Sequence, residues 1–240
     1  MLRSILVTAL VLVAFLTSAQ DKEVGQLQSK EKQPTARQIF SSHYAFKYQA
    51  ALRYNDYRVA KDALYSLLVE NPQNDSILYS LSALYFQMQQ YASAALTSND
   101  LVTRNENHIG GLEVNANSLE QLGAKDKALD KYESLYLLTD EVQVLYKIAF
   151  LQYELGRYAE SMTNADILLG KKELEEMSAV FQTTSSEQKE YPIKVALYNL
   201  KGLVYQEQGD KAKAKEFYNK ALEIAPDFAM AKENLASVDK

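Results

Sequence analysis

Five small residues, Ala60, Ala94, Ala128, Ser161 and Ala214, recur along this chain at intervals of 34, 34, 33 and 53. A recurrence of that length constrains the architecture more than any single helix does. One unit of two helices cannot bury its apolar face alone, whereas units stacked at a fixed spacing bury a continuous one. The residues between agree with helices. From about residue 37 onward apolar side chains return at three- and four-residue steps, and alternating apolar–polar runs, the mark of strands, are scarce.

The unit is plainest in residues 195–228, where Gly202, Tyr205, Gly209, Ala214, Tyr218, Ala221 and Pro226 follow one another. Gly202 lets two helices approach closely, with Tyr205 filling the groove beside the contact. Gly209-Asp210 ends the first helix at a residue tolerant of positive φ. Ala214 is the small residue of the returning helix, and Pro226 closes it. This pattern resembles the tetratricopeptide repeat. One departure is Lys201, where the family has a leucine before the glycine; Leu200 is placed to supply that contact.

The same grid falls on Tyr48, Asn55, Tyr57, Ala60 and Pro72 in 41–74, and on Ser82, Tyr85, Tyr91 and Ala94 in 75–108. It falls on Ala116, Gly123, Ala128 and Tyr132 in 109–142, and on Ala149, Gly156, Tyr158 and Ser161 in 142–175. The resemblance implies an all-α, right-handed superhelical solenoid of about five helical hairpins, closed by a C-terminal cap helix over 227–238. The long last interval leaves an insertion at 174–194. Leu174–Met177 can extend the preceding helix, and Val180-Phe181 and Tyr191–Ile193 can pair as a short hairpin about Thr183–Ser186. The insertion is either a tolerated loop or a lobe that adds contact surface at the groove end.

The N-terminus reads as an address. Arg3 precedes an apolar run from Ile5 to Leu16, shorter than the roughly 20 residues a membrane span needs, and Thr17-Ser18-Ala19 supplies small residues for cleavage. The expectation is a signal peptide over 1–19, cut after Ala19, and an exported protein, periplasmic or secreted, with no membrane span once cleaved. The junction resembles those of exported soluble proteins of Gram-negative bacteria, Bacteroidota above all. Residues 20–36, rich in Gln, Lys and Glu, read as a flexible polar linker.

Composition speaks against several chemistries. The chain has no Cys and two His, His43 and His108, and a formal charge of −5. Thiol catalysis, disulfides and Cys metal sites are excluded, and neither histidine has a partner at metal-ligand spacing. A nucleic-acid surface needs clustered Lys and Arg, which are lacking. The doublets Asp140-Glu141 and Glu175-Glu176 sit near expected helix ends, where water and helix N-termini account for them. Gly110-Gly111 is a turn and helix start. The expectation is therefore a non-enzymatic protein without cofactor or metal. Asn74-Asp75-Ser76 reads as a helix-start cap. It is also formally an N-glycosylation sequon, and Asp75-Ser76-Ile77 resembles an O-glycosylation acceptor of Bacteroidota.

In a stack of this family the first helix of each hairpin lines a concave groove. Taking the close-approach position as zero, the inward positions are −3, +1 and +4. They carry Tyr79, Ala83 and Phe86 in the second repeat, Glu113, Asn117 and Glu120 in the third, and Tyr146, Phe150 and Tyr153 in the fourth. The end repeats carry Ala45, Gln49 and Leu52, and Asn199, Leu203 and Gln206. The centre of the groove thus holds two aromatic stripes about an acidic step, unless the rings pack between hairpins. Family members that grip a terminal carboxylate use Lys, Arg and Asn here; Glu113 and Glu120 would repel one. The expected partner is a protein or peptide segment, neutral or basic. The alternatives are a glycan-binding module using Tyr146, Phe150 and Tyr153, or an accessory subunit of an envelope complex. The oligomeric state stays open.

Overall fold

The paired helices are separated where the backbone turns left-handed. In the computed structural model, which describes residues 33–182 and 188–238, such turns occur at Asn55 (φ 56°), Gln89 (58°), Gly123 (73°), Gly156 (73°) and Gly209 (79°). Each lies five residues before one of the recurring small residues. The next amide donates to the carbonyl five residues back: Asp56 to Ala51, Gln90 to Tyr85, Ala124 to Leu119, Arg157 to Gln152 and Asp210 to Tyr205, at 2.8–2.9 Å. This closing bond satisfies a carbonyl the helix end leaves free. Asp56 and Asp210 then cap the returning helix, accepting from the amides of Val59 and Lys213.

The resulting order is α1 (Ala36–Arg53), α2 (Tyr57–Glu70), α3 (Asp75–Gln87), α4 (Tyr91–Arg104), α5 (Ile109–Gln121), α6 (Lys125–Thr139), α7 (Val142–Glu154), α8 (Tyr158–Gly170), a 3₁₀ turn (Lys172–Glu176), β1 (Ser178–Gln182), β2 (Gln188–Pro192), α9 (Ile193–Glu207), α10 (Lys211–Ile224) and α11 (Ala229–Val238). The described residues from 36 to 238 form a solenoid of helical hairpins, all-α apart from the short β1–β2 pair. Ala36, expected at the end of the linker, already opens α1. The signal-peptide segment, residues 20–32 and the Thr183–Ser186 tip lie outside the described residues. Among the described residues no helix is long and apolar enough to cross a membrane.

All five recurring small residues are fully buried, and so are Ser82, Ala116 and Ala149 at the close-approach position. Where Ser161 replaces alanine, its hydroxyl donates to the Ala149 carbonyl at 2.8 Å, so no polar atom is stranded. At Gly202 the close partner is the Tyr218 ring: a Cβ there would come within 2.4 Å of it. Tyr205, expected beside that contact, packs against the Ala214 and Tyr218 cluster and stacks on Phe217 at 5.4 Å. Leu200 is buried in the core shared by α7, α8 and α9, as its position beside Lys201 suggests. Lys201, on α9, pairs with Asp166 on α8 while the same ammonium lies 4.7 Å from the Phe217 ring centre on α10.

The insertion is docked. The 3₁₀ turn buries Leu174, and β1 and β2 pair antiparallel with Ala179 opposite Tyr191 and Phe181 opposite Lys189. Phe181 and Tyr191 meet Phe228 edge-on at 5.3 and 5.1 Å, which ties the hairpin to the start of the C-terminal cap. Beyond it α11 buries Val238 against Ala214 and Tyr218. It also covers the last groove positions, since the Asn234 amide donates to Asn199 at 2.9 Å and Asn199 is only 1% exposed. Asn199 is therefore not available as a groove residue.

Candidate partner-binding groove

Helix α5 enters the third repeat through His108, whose Nδ1 accepts from the Gly111 amide at 3.0 Å. Thirty-four residues earlier Asn74 does the same for α3, its Oδ1 accepting from Ser76 at 3.0 Å and Ile77 at 3.3 Å. His108 is thus a helix cap that also packs on Tyr79 of α3, and the Asn74 side chain is engaged in its cap. Gly110 lies under the Tyr79 ring, where a Cβ would approach to 2.6 Å. Glycine here lets α5 start close against α3, and that start sets the positions of Glu113, Asn117 and Glu120 along α5.

Those three side chains diverge in role. Glu113 is exposed, whereas Asn117 and Glu120 are half-buried against α6. The Tyr132 hydroxyl, from α6, lies 2.8 Å from Asn117 Oδ1 and 2.6 Å from Glu120 Oε2. Lys147, from α7, donates to both Glu120 oxygens at 2.9 and 3.0 Å. Burial and the Glu120 carboxylate raise the Tyr132 phenol far above its ordinary value. The charge of Glu120 is paired within this network, whereas Glu113 has no ion-pair partner among the described residues.

Beside the network a pocket of about 190 Å³ opens between α5, α6 and α7. It is lined by Ile109, Glu113 and Asn117 on α5, by Tyr132 and Leu135 on α6, and by Glu141, Gln143, Val144 and Lys147 at the start of α7. Glu113 and Asn117 were legible as inward positions. Lys147, one place off the −3 position, was missed, and so was Glu141; the position pattern names what faces inward along one helix, not what a neighbouring helix brings across.

The aromatic side chains do not form two open stripes. Tyr79 is half-buried against Gly110 and 5.4 Å from the His108 ring, and Phe86 packs on Tyr91 at 5.4 Å. Tyr146 and Phe150, with ring centres 4.6 Å apart, pack against the core of α7, α8 and α9, and burial pushes the Tyr146 phenol up to about 12. Tyr153 leans on Tyr158 at 5.9 Å; burial, then the charge of Glu207 on α9, raises its phenol. These rings lie in the junctions between helices, leaving the pocket as the open polar part of the face. Among the described residues no cluster of His, Asp and Glu gathers as metal ligands would.

The family whose model matches is the tetratricopeptide repeat, over residues 195–228. No curated protein matches the sequence. Among solved structures the chain is similar to YrrB, described as a TPR protein with an unusual peptide-binding site, at 14% identity over 82% of this chain and 98% of that one, with a TM-score of 0.65. It is similar to a tetratricopeptide repeat protein from Parabacteroides merdae at 17% identity over 83% and 72%, TM-score 0.63. MamA from Desulfovibrio magneticus is similar at 13% identity over 79% and 97%, TM-score 0.59. Identities this low speak to the fold. Residues 195–228 are matched as a tetratricopeptide repeat, and the chain has the fold of tetratricopeptide-repeat proteins.

Proposed function

We propose that this protein is an exported, non-catalytic scaffold that holds a peptide or partner segment along the face formed by α3, α5 and α7. The observation that carries this reading is the pocket between α5, α6 and α7, open on that face and lined by both apolar and charged side chains. Such a mixture orients a chain segment while burying part of it. The fold agrees, and one protein of the same fold, YrrB, is described by its peptide-binding site. A glycan platform is less suited, because Tyr146 and Phe150 are half-buried against the core and tilted on one another instead of lying flat and open. The apolar run before Thr17-Ser18-Ala19 supports export to the periplasm or beyond.

The test is co-purification from the envelope fraction. A partner held in the groove is retained by the wild type and lost from Glu113→Arg/Gln143→Arg, whose two sites are exposed, so an unchanged melting curve is expected. Retention by that variant contradicts the groove reading. A mature N-terminus at Gln20 is the expected product of export; finding Met1 on the envelope-located protein contradicts cleavage.

A further inference from the structure

We propose that the pocket between α5, α6 and α7 is a socket for one lysine or arginine side chain of the partner segment, an inference that rests on the groove reading above. The volume, about 190 Å³, matches a single long side chain better than a run of residues. Its apolar wall is Ile109, Leu135 and Val144, from three different helices. A wall of that kind suits the aliphatic stem of a long cationic side chain, which favours apolar surface along its length and water or a counter-charge at its tip.

The charges decide which tip fits. Three carboxylates and one ammonium stand in or beside the pocket. Glu120 and Lys147 neutralise each other at 2.9 Å, and Tyr132 fills a further acceptor site on Glu120. Glu113 and Glu141, both exposed on the lining, have no ion-pair partner among the described residues. The uncompensated charge is therefore negative and sits on two helices, α5 and the start of α7. An entering carboxylate would have to pass these two groups and take Lys147 from Glu120. An entering ammonium or guanidinium meets the two unpaired carboxylates without having to take Lys147 from Glu120. Guanidinium and ammonium tips share this chemistry, and the selected residues will show which is preferred.

A displayed library of random peptides, selected on the intact protein, tests the socket. The wild type is expected to select peptides with Lys or Arg at one aligned position, about fivefold above the library frequency. Glu113→Gln/Glu141→Gln loses that enrichment while other aligned positions persist, and Glu113→Lys/Glu141→Lys moves the preference at the same position to Asp or Glu. Unchanged melting temperatures show that the variants stay folded, as their exposure leads one to expect. Selected peptides with no aligned basic position, or a basic position that survives in the Gln pair, overturn the socket and leave the groove standing. Failure to select any peptide overturns both.

Discussion

At the scale of residues, one left-handed turn and one small side chain, five positions apart, define each hairpin. Three of the turns have glycine and one has asparagine, which tolerate positive φ; Gln89 does not. Gln89→Gly is expected to stabilise the protein by about 1 kcal/mol, raising Tm by about 2–4 °C in a thermal melt. A lower Tm would mean that the glutamine side chain has a compensating role. Lys201 carries a second residue-scale expectation. Its partner Asp166 remains over half exposed, so losing the pair leaves that carboxylate hydrated. Lys201→Met therefore changes stability by less than about 1 kcal/mol, whereas Lys201→Glu, beside Asp166 and under Phe217, costs about 3 kcal/mol in denaturant unfolding.

The period was legible because close helix contacts admit only small side chains, and such positions repeat in register: Ala60, Ala94, Ala128, Ser161 and Ala214 are all fully buried. Gln89 was not legible as a turn residue because nothing in its chemistry asks for positive φ; the repeat forces it. The cap role of His108 was hidden for a related reason. Histidine is an uncommon cap, and only its register with Asn74 betrays the role.

At the scale of elements, the end of the stack is decided by α11 and the inserted hairpin. A solenoid needs its last apolar face covered. Here Val238 covers Ala214 and Tyr218, while Phe228 joins Phe181 and Tyr191. A chain ending at Ile224 lacks Phe228 and Val238, exposes Phe181, Tyr191, Ala214 and Tyr218, and is expected to lose about 3 kcal/mol of stability and to aggregate on heating; equal melting curves for the two lengths would refute the capping role. That a short hairpin forms about the polar tip was readable from β-branched and aromatic residues on either side, but its register was not: Val180 and Phe181 lie opposite Glu190 and Lys189, and Ile193 already opens α9. The hairpin's docking against Phe228 was not readable, because that contact joins segments far apart in sequence. The same limit applied to the groove. Glu113 and Asn117 followed from position along α5, but the pairing of Glu120 with Lys147 requires the angle between α5 and α7.

At the scale of the whole molecule, tyrosines buried in the helix junctions tie stability to alkaline pH. Burial pushes the Tyr85 and Tyr146 phenols up to about 12, with the Tyr65 hydroxyl adding to the shift at Tyr85, and it raises Tyr132 and Tyr218 as well. The folded state then holds protons that the unfolded state has released, so stability is complete below pH 10 and falls as pH rises through 10 to 12 and beyond. A spectroscopic titration of phenolate should show a late group of tyrosines that ionises together with loss of helical signal. Ionisation of every tyrosine near pH 10 with the helices intact would contradict the packing.

The proposed binding of partner segments places them on the face of the first helices, at the pocket between α5, α6 and α7. Hydrogen exchange on the intact protein, with and without a peptide selected on it, reads out where such a segment lies. The prediction is added protection in Ile109–Gln121 and Val142–Glu154, with α2, α4 and α10 unchanged. Protection confined to α2, α4 and α10, or absent while the peptide is bound, would contradict it.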